Sequence, residues 1–269
     1  MSNIMDSLYN MRLLDDLARQ DTVIHKLHPL VKLLATVSYL TVVVSFGRYD
    51  IGGILPLVIY PVMVFTLAEL PVKPIVLRIL LVSPFIIGIG ILNPFFDKQI
   101  FVLGDREISR GWVTFLSILL KSGLTVTAAL LLIATTGMDR LGSALRMLKI
   151  PRIFVLQLLL TYRYISVLME EVARTLRAYS LRAPKQKGVH RSAWGSLAGQ
   201  LLLRTFDRAQ RIYEAMCLRG FAGEYNTGGF GKLRIGDWVY LAVWFLFFIT
   251  VRFYNIPMLI GSLITGVIR

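Results

Sequence analysis

The sequence is short of cysteine, histidine and acidic residues. Its 269 residues include one cysteine, three histidines and 16 aspartates and glutamates. The lone cysteine, Cys217, excludes a disulfide within the chain and leaves the redox compartment undetermined. The carboxylates are scattered, whereas an enzyme needs acids, histidines or a nucleophile gathered at one site. The sequence therefore predicts no enzymatic activity of its own.

Apolar residues, by contrast, are abundant. The chain is 55% hydrophobic and has a mean hydropathy of +0.64, which is too apolar for an ordinary soluble domain. Apolar stretches predict spans at residues 30–46, 51–67, 75–96, 112–136 and 235–251, and the tail 253–268 is a short sixth span or an interfacial hairpin. The prolines within these spans are tolerated where neighbouring groups satisfy the freed carbonyls.

Positive charge is concentrated in one segment. Residues 139–234 hold 17 Lys/Arg and 6 Asp/Glu, which supplies +11 of a net charge of +14. Basic segments beside spans stay in the cytoplasm, so this segment and the N-terminus are expected inside, near anionic lipid. No nucleic-acid-binding signature accompanies the charge, so nucleic acid is not an expected partner.

The predicted architecture is an all-α integral membrane protein with five or six transmembrane helices and a cytoplasmic pair of long amphipathic helices. Its expected parts are a cytoplasmic segment 1–29, a four-span bundle 30–136, a cytoplasmic domain 137–234 and one or two spans in 235–269. Within the cytoplasmic domain, apolar residues recur every three or four positions and predict helices over about 150–183 and 192–220.

The two cytoplasmic helices end in similar triplets. The first ends at Leu181-Arg182-Ala183, just before Pro184, and the second at Leu218-Arg219-Gly220. Gly220 stands where a left-handed C-terminal cap is expected. An arginine at a helix C-terminus complements the helix dipole, which would be reason enough for one such arginine. The repetition favours docking onto a partner: a leucine of the type usually buried, a small residue that lets a surface approach, and a guanidinium that forks onto a carboxylate.

These triplets lie in longer motifs that resemble a known family. Four segments resemble the transmembrane T component of energy-coupling-factor transporters of the cobalt type, CbiQ. They are RIYEAMCLRGFAGEY at 211–225, EEVARTLRAYSLRA at 170–183, SPFIIGIGILNPFF at 83–96 and HPLVK at 28–32. Two positions depart from the family pattern: Ala183 replaces a glycine, and His28 replaces an aspartate. The first departure leaves TLRA at 175–178 as an alternative register.

The resemblance implies a coupling scaffold in a prokaryotic cell membrane with a cytoplasmic N-terminus. Such a protein binds two ABC ATPase subunits through the two helices, with arginines such as Arg182 and Arg219 meeting acidic residues in ATPase grooves. It also binds a CbiM-like substrate-capturing subunit in the membrane. The scaffold itself holds no cofactor, because the partner ATPases hydrolyse ATP. The implied substrate is cobalt, with nickel or a vitamin as alternatives.

Other candidate sites are weaker. GGFGK at 228–232 resembles a phosphate-binding loop, but the residues required at two positions of that motif are missing. The segment is therefore predicted to be a flexible turn. His25 and His28 are too few ligands for a metal, so they are expected to be interfacial. Lys121 lies deep in a predicted span, where a functional role competes with snorkelling or a later start of the span. Cys217 is expected to be a small packing residue.

The competing function is a stand-alone secondary transporter or channel. That class usually shows inverted repeats and helices broken at a midplane site. No repeat relates the two halves of this sequence, and the long cytoplasmic helix pair would have no purpose in such a protein. Dependence on partners separates the two, because a carrier transports alone and a coupling scaffold does not.

Overall fold

The computed structural model of the protein describes residues 15–96, 100–103, 106–184, 188–223 and 233–254. Almost all of this chain is helical, which confirms the predicted all-α membrane fold. The elements in chain order are α1 (Val23–Lys26), α2 (Pro29–Ser45), α3 (Ile51–Ile54), a 3₁₀ helix (Leu55–Val58), α4 (Ile59–Leu67), α5 (Val72–Gly90), α6 (Leu92–Phe96), β1 (Ile100–Leu103), β2 (Arg106–Ser109), α7 (Arg110–Thr136), α8 (Met138–Met147), α9 (Arg152–Arg182), α10 (Arg191–Leu218) and α11 (Ile235–Phe253).

The described chain divides into two compact units. Residues 17–96, 100–103, 106–137 and 233–254 form one unit, which holds α1 to α7, the two strands and α11. Residues 15–16, 138–184 and 188–223 form the other, which holds α8, α9 and α10.

Four of the described helices are long and apolar enough to cross a membrane. They are Val72–Pro94, Arg110–Thr136, Arg152–Arg182 and Ile235–Phe253, while Pro29–Ser45 and Ile51–Leu67 are shorter apolar helices. The Arg152–Arg182 helix is α9, which the sequence places in the cytoplasm, and its mean hydropathy of 1.4 is the lowest of the four. Length and composition alone do not separate α9 from the spans, so its cytoplasmic placement stays a prediction.

Each of three prolines in the apolar helices has a side-chain donor for the carbonyl that it leaves unpaired. Proline has no N–H, so the carbonyl four residues before it loses its helical partner. The Leu57 carbonyl, four before Pro61, accepts from the Tyr39 hydroxyl at 3.2 Å. The Leu80 carbonyl, four before Pro84, accepts from the Ser83 hydroxyl at 2.9 Å.

The third case is Pro94, and the helix of the predicted third span is interrupted just before it. The Gly90 carbonyl accepts from the Asn93 side-chain amide at 3.2 Å, and α5 stops at Gly90 before α6 begins at Leu92. Gly90 also allows close packing, because an added Cβ would lie 2.8 Å from the ring of Phe115 on α7. These contacts confirm that the prolines are accommodated by neighbouring groups.

The core of the first unit is aromatic. Tyr39 of α2, Tyr60 of α4, and Trp244 and Phe248 of α11 are buried, and their ring centroids lie between 4.6 and 5.8 Å apart in the contacting pairs. The Tyr60 hydroxyl lies 3.0 Å from that of Thr36, so the phenol has a polar partner inside the bundle.

Polar contacts join helix ends in the same unit. The buried Asp237 carboxylate accepts from the backbone N–H of His28 at 2.9 Å and of Arg234 at 2.8 Å, which links the start of α2 to the start of α11. The buried Lys32 ammonium donates to the Thr135 carbonyl at 2.8 Å, which links α2 to the end of α7.

Two short strands lie between α6 and α7. Strands β1 and β2 pair antiparallel, with Ile100 opposite Ser109 and Leu103 opposite Arg106. This hairpin is the one departure from helical structure among the regular elements of the described chain.

Candidate functional site

The α9 and α10 helices form an antiparallel pair. The Tyr179 hydroxyl near the end of α9 accepts from the backbone N–H of His190, the residue before α10, at 3.4 Å. Further along both helices, Arg204 Nη1 donates to Glu171 Oε1 at 2.8 Å. Residue numbers fall along α9 as they rise along α10, so the C-terminal ends of the two helices point to opposite ends of the pair.

A groove opens between the helices beyond the Glu171–Arg204 ion pair. It has a volume of about 1560 Å³ and is lined by the first half of α9, the second half of α10 and residues 221–223. Its lining includes apolar side chains such as Leu160, Ile212 and Met216. Glu171 is 19% exposed and Arg204 is 53% exposed, so the ion pair sits at the edge of the solvent and contributes modestly to holding the helices together.

Arg182 is the last residue of α9. The structure places it at the helix end, with an exposed side chain. Ala183 follows in a non-helical conformation, and its N–H donates to the Tyr179 carbonyl at 3.0 Å. The alternative register would use Arg177, which lies within α9 and is also exposed. Only Arg182 projects from the helix terminus.

Arg219 occupies the corresponding place after α10, in a tightly built cap. Gly220 has φ +78°, and its N–H donates to the Cys217 carbonyl at 2.9 Å. The N–H of Phe221 donates to the Met216 carbonyl at 3.0 Å. These two bonds form a Schellman motif, in which a glycine adopts the left-handed conformation. The predicted C-terminal cap at Gly220 is thereby confirmed.

The leucines beside the two arginines are exposed, although leucine is a residue type that is usually buried. Leu181 is 77% exposed and Leu218 is 90% exposed. Each helix end instead presents a leucine and an arginine together, with Ala183 or Gly220 next to them. An exposed leucine beside a guanidinium offers a partner both apolar contact and a forked hydrogen-bond donor.

Cys217 differs from expectation. It was expected to be a packing residue, but its side chain is exposed on α10. A hydrogen bond with the Cys217 side chain raises the pKa of the Tyr213 hydroxyl, which lies one turn earlier. Among the described residues, no group of three or more histidine, cysteine, aspartate or glutamate side chains could hold a metal ion.

The two histidines before α2 have local structural contacts. His25 is buried, and its Nδ1 lies 2.7 Å from the Thr22 hydroxyl. The His28 Nδ1 accepts from the N–H of Leu30 at 3.2 Å and so caps α2. A histidine that replaces the family's aspartate at this position thus still supplies a capping acceptor.

Lys121 lies inside α7, eleven residues after its start at Arg110. Its ammonium donates to the Phe46 carbonyl at 2.6 Å and to the Gly47 carbonyl at 3.2 Å. These carbonyls end α2, where a cation is favourable. The predicted GGFGK turn and the predicted sixth span lie outside the described residues.

Comparison with known proteins supports the resemblance seen in the motifs. Residues 20–228 match the model of the CbiQ family, described as "Cobalt transport protein". This region is well over half of the chain. The chain belongs to this family. The family is a membrane component of transporter complexes, which agrees with the apolar helices of the structure.

Two relatives match more distantly. The chain is 28% identical over 151 residues to the uncharacterized protein MJ1571 of Methanocaldococcus jannaschii, covering 54% of this chain and 51% of that one. It is 28% identical over 141 residues to the nickel permease LarQ of Lactiplantibacillus plantarum, covering 51% and 52%. The chain therefore spans about half the length of the curated relatives that it matches.

Proposed function

We propose that this CbiQ-family protein is the coupling scaffold of an energy-coupling-factor importer. In this function the chain binds two ABC ATPase subunits and a substrate-capturing membrane subunit, and it passes ATPase movement from the former to the latter. The observation that carries the proposal is the pair of exposed Leu-Arg helix ends, Leu181-Arg182 and Leu218-Arg219, at opposite ends of the α9–α10 pair.

The spacing of these ends suits two separate partners. The Glu171–Arg204 ion pair is a common reference point on the two helices. Arg182 lies 11 residues beyond Glu171, and Arg219 lies 15 residues beyond Arg204. At about 1.5 Å per helical residue, the arginines extend roughly 16 Å and 22 Å from it, in opposite directions. One small partner would not cover both ends, whereas two ATPase subunits would each take one.

The two docking ends differ in how firmly they are held. The Arg219 end is fixed by the two Schellman bonds of Gly220 and Phe221, while α9 ends at Arg182 with the single bond from the Ala183 N–H to the Tyr179 carbonyl. A guanidinium that is held in place before binding loses less entropy when a carboxylate docks on it. The proposal therefore gives Arg219 the larger share of the ATPase affinity.

Cobalt is the proposed substrate, carried by the substrate-capturing subunit and not by this chain. The support is the description of the family as cobalt transport proteins. Because one relative is named a nickel permease, nickel is the alternative metal to test.

The decisive experiment is co-purification from membranes with a co-expressed ABC ATPase pair. We expect wild type to retain the ATPases, and Arg182→Glu and Arg219→Glu to reduce recovery at least tenfold each, since breaking a desolvated ion pair costs about 2–5 kcal/mol. The double variant should recover none. Arg182→Lys and Arg219→Lys should fail in part, because lysine cannot fork onto a carboxylate.

Matched controls separate docking from general loss of charge. Arg177→Glu reverses an exposed arginine inside α9, and Arg211→Glu does the same inside α10. Both should leave ATPase recovery near wild type. If Arg177→Glu abolishes binding while Arg182→Glu does not, the docking register is the upstream one. If no ATPase binds wild type under any condition, the scaffold function is rejected.

A further inference from the structure

The turn between α8 and α9 carries an exposed apolar patch that the coupling function does not use. Met147 is 43% exposed, Leu148 40%, Ile153 61% and Phe154 66%. We call residues 146–154 the α8–α9 turn. Four large apolar side chains within eight residues, all open to the surroundings, form a patch of the kind that usually marks an interaction surface.

The turn is closed by backbone bonds, and the helix before it packs on α9. α8 packs closely on α9, because an added Cβ at the buried Gly142 would lie 2.7 Å from a methyl group of Leu159. The turn itself closes with two backbone bonds, from the N–H of Lys149 to the Arg146 carbonyl at 3.0 Å and from the N–H of Ile150 to the Leu145 carbonyl at 3.4 Å. The apolar side chains are thereby directed outward.

The charged residues of the α8–α9 turn are all basic. Arg146, Lys149 and Arg152 lie within the turn, and the sequence has no acidic residue from 140 to 169. Lys149 is exposed and adopts φ +61°, a left-handed conformation that glycine takes without strain. A lysine there costs roughly 1 kcal/mol, yet it places a cation at the edge of the apolar patch.

Along the chain, the turn follows an apolar helix after a short stretch. α7 is long and apolar enough to cross a membrane and ends at Thr136. α8 follows at Met138 and has ten residues, which is about 15 Å of helix. The turn thus follows the end of a span by a single short helix. Apolar side chains that alternate along the chain with lysine and arginine, one short helix after an apolar helix, are typical of segments that lie in the membrane interface.

We propose that the α8–α9 turn is a membrane-interface anchor. Met147, Leu148, Ile153 and Phe154 insert at the boundary between headgroups and acyl chains, and Lys149 meets anionic headgroups. The partner is the anionic lipid surface of the inner leaflet. An anchor at this point would hold the first turn of α9 at the membrane while the far end of α9 stays free to meet soluble partners. The anchor does not depend on ATPase docking.

Spin labelling of the full chain tests the depth of the turn. Cys217→Ser removes the one cysteine, and single cysteines at Leu148 or Phe154 then carry a nitroxide. The control label replaces the exposed Ser180, near the other end of α9. The chain is reconstituted alone in vesicles of phosphatidylcholine with phosphatidylglycerol, and collisions with oxygen and with nickel(II) ethylenediaminediacetate are measured.

We expect the labels at 148 and 154 to collide more with oxygen and several-fold less with the nickel complex than the label at 180. Equal accessibility at all three positions overturns the proposal. A label at 148 that stays in water and becomes protected only after a substrate-capturing subunit is co-reconstituted would assign the patch to a protein partner, and also overturns it.

A separate variant tests the contribution of the Lys149 charge to binding anionic lipid. Lys149→Gly removes the cation and keeps the left-handed turn, so folding is not disturbed. We expect it to make the label at 148 shallower in vesicles that contain phosphatidylglycerol and to change nothing in pure phosphatidylcholine. The matched Lys149→Arg variant should behave as wild type. A Lys149→Gly variant that keeps the same depth in both vesicles overturns the role of anionic lipid.

Discussion

At the scale of single residues, Lys121 shows how a cation is accommodated inside an apolar helix. Its ammonium reaches two carbonyls at the end of α2, 2.6 and 3.2 Å away. It therefore acts as a C-terminal cap supplied by a different helix. This contact joins positions 75 residues apart, and nothing in the spacing of the sequence pointed to it.

Lys121→Met should lower stability and leave transport per folded molecule unchanged. Removing a charged donor from two carbonyls costs about 1–2 kcal/mol, which thermal unfolding in detergent will detect. The control is Lys73→Met, which removes an exposed lysine from α5 and should shift the unfolding temperature little. Loss of metal uptake with an unchanged unfolding temperature would instead give Lys121 a direct role in transport.

Gly220→Ala should weaken ATPase binding without steric conflict. No atom lies within 4 Å of an added Cβ, so the only penalty is the left-handed conformation at φ +78°, about 1 kcal/mol. The cap beside Arg219 would open in part, and we expect ATPase recovery to fall about fivefold in co-purification.

The control for that variant is Gly199→Ala, in the interior of α10. It also has open space around its added Cβ, and alanine is the better helix former, by roughly 0.5–1 kcal/mol. This variant should stabilise α10 and retain the ATPases. If Gly220→Ala binds as well as wild type, the cap does not position Arg219.

The sequence allowed the cap at Gly220 to be predicted, but not the exposure of its neighbours. A glycine after a periodic helix is a local signal, readable without any tertiary contact. Whether Leu181, Leu218 or Cys217 is buried depends on which surfaces other parts of the chain cover. In a membrane-associated protein, apolar side chains also face lipid and partner subunits, so their composition does not determine burial.

At the scale of elements, nearby side chains replace the backbone hydrogen bonds that prolines remove from the apolar helices. Pro84 has no N–H to donate to the Leu80 carbonyl, and the hydroxyl of Ser83, the preceding residue, donates to it instead. Asn93, which precedes Pro94, donates to the Gly90 carbonyl in the same way. The donor is one residue away in sequence in both cases. A polar residue directly before a proline can be recognised in a sequence. The sequence predicted only that neighbouring groups would satisfy the freed carbonyls, and the structure identifies the donors.

A double-mutant cycle tests this compensation. Ser83→Ala should destabilise the protein by about 1 kcal/mol, because it leaves the Leu80 carbonyl without a donor in an apolar segment. Pro84→Ala restores the backbone N–H, so Ser83→Ala should have almost no effect when combined with it. Thermal unfolding of the four proteins measures the coupling. Equal effects of Ser83→Ala in both backgrounds would show that the hydroxyl does not replace the missing bond.

Hydropathy predicted the apolar helices to within a few residues at most ends. The predicted span 112–136 corresponds to α7 at Arg110–Thr136, and 235–251 to α11 at Ile235–Phe253. The third span was predicted as continuous and is interrupted after Gly90, because Pro94 follows. Composition also fails to separate α9 from the spans, since its apolar first half resembles theirs.

At the scale of the whole molecule, the links that tie distant helices together were beyond prediction. Asp237 binds the N–H of His28 from 209 residues away, and Lys32 reaches Thr135 over 103 residues. A single sequence holds no record of which carboxylate meets which helix end. These contacts became visible only once the helices were packed.

Transport should belong to the complex and not to this chain. In proteoliposomes, the chain alone should take up no cobalt, and uptake should appear only with both the ATPases and the substrate-capturing subunit, with ATP supplied. Isotope uptake measures it, and nickel in place of cobalt tests the metal. ATP-independent uptake by the chain alone would favour a stand-alone carrier.

The sparse packing of α10 affects the fate of the unassembled subunit. None of its residues is buried, and Glu171 holds it from α9 through Arg204 at a partly exposed position. Such a helix opens at small free-energy cost, so its amides should exchange with deuterium far sooner than those of α2, and proteases should cut it first. If the proposed function is right, a copy that binds no ATPase is degraded, and the cell accumulates this protein only as fast as it makes the ATPases.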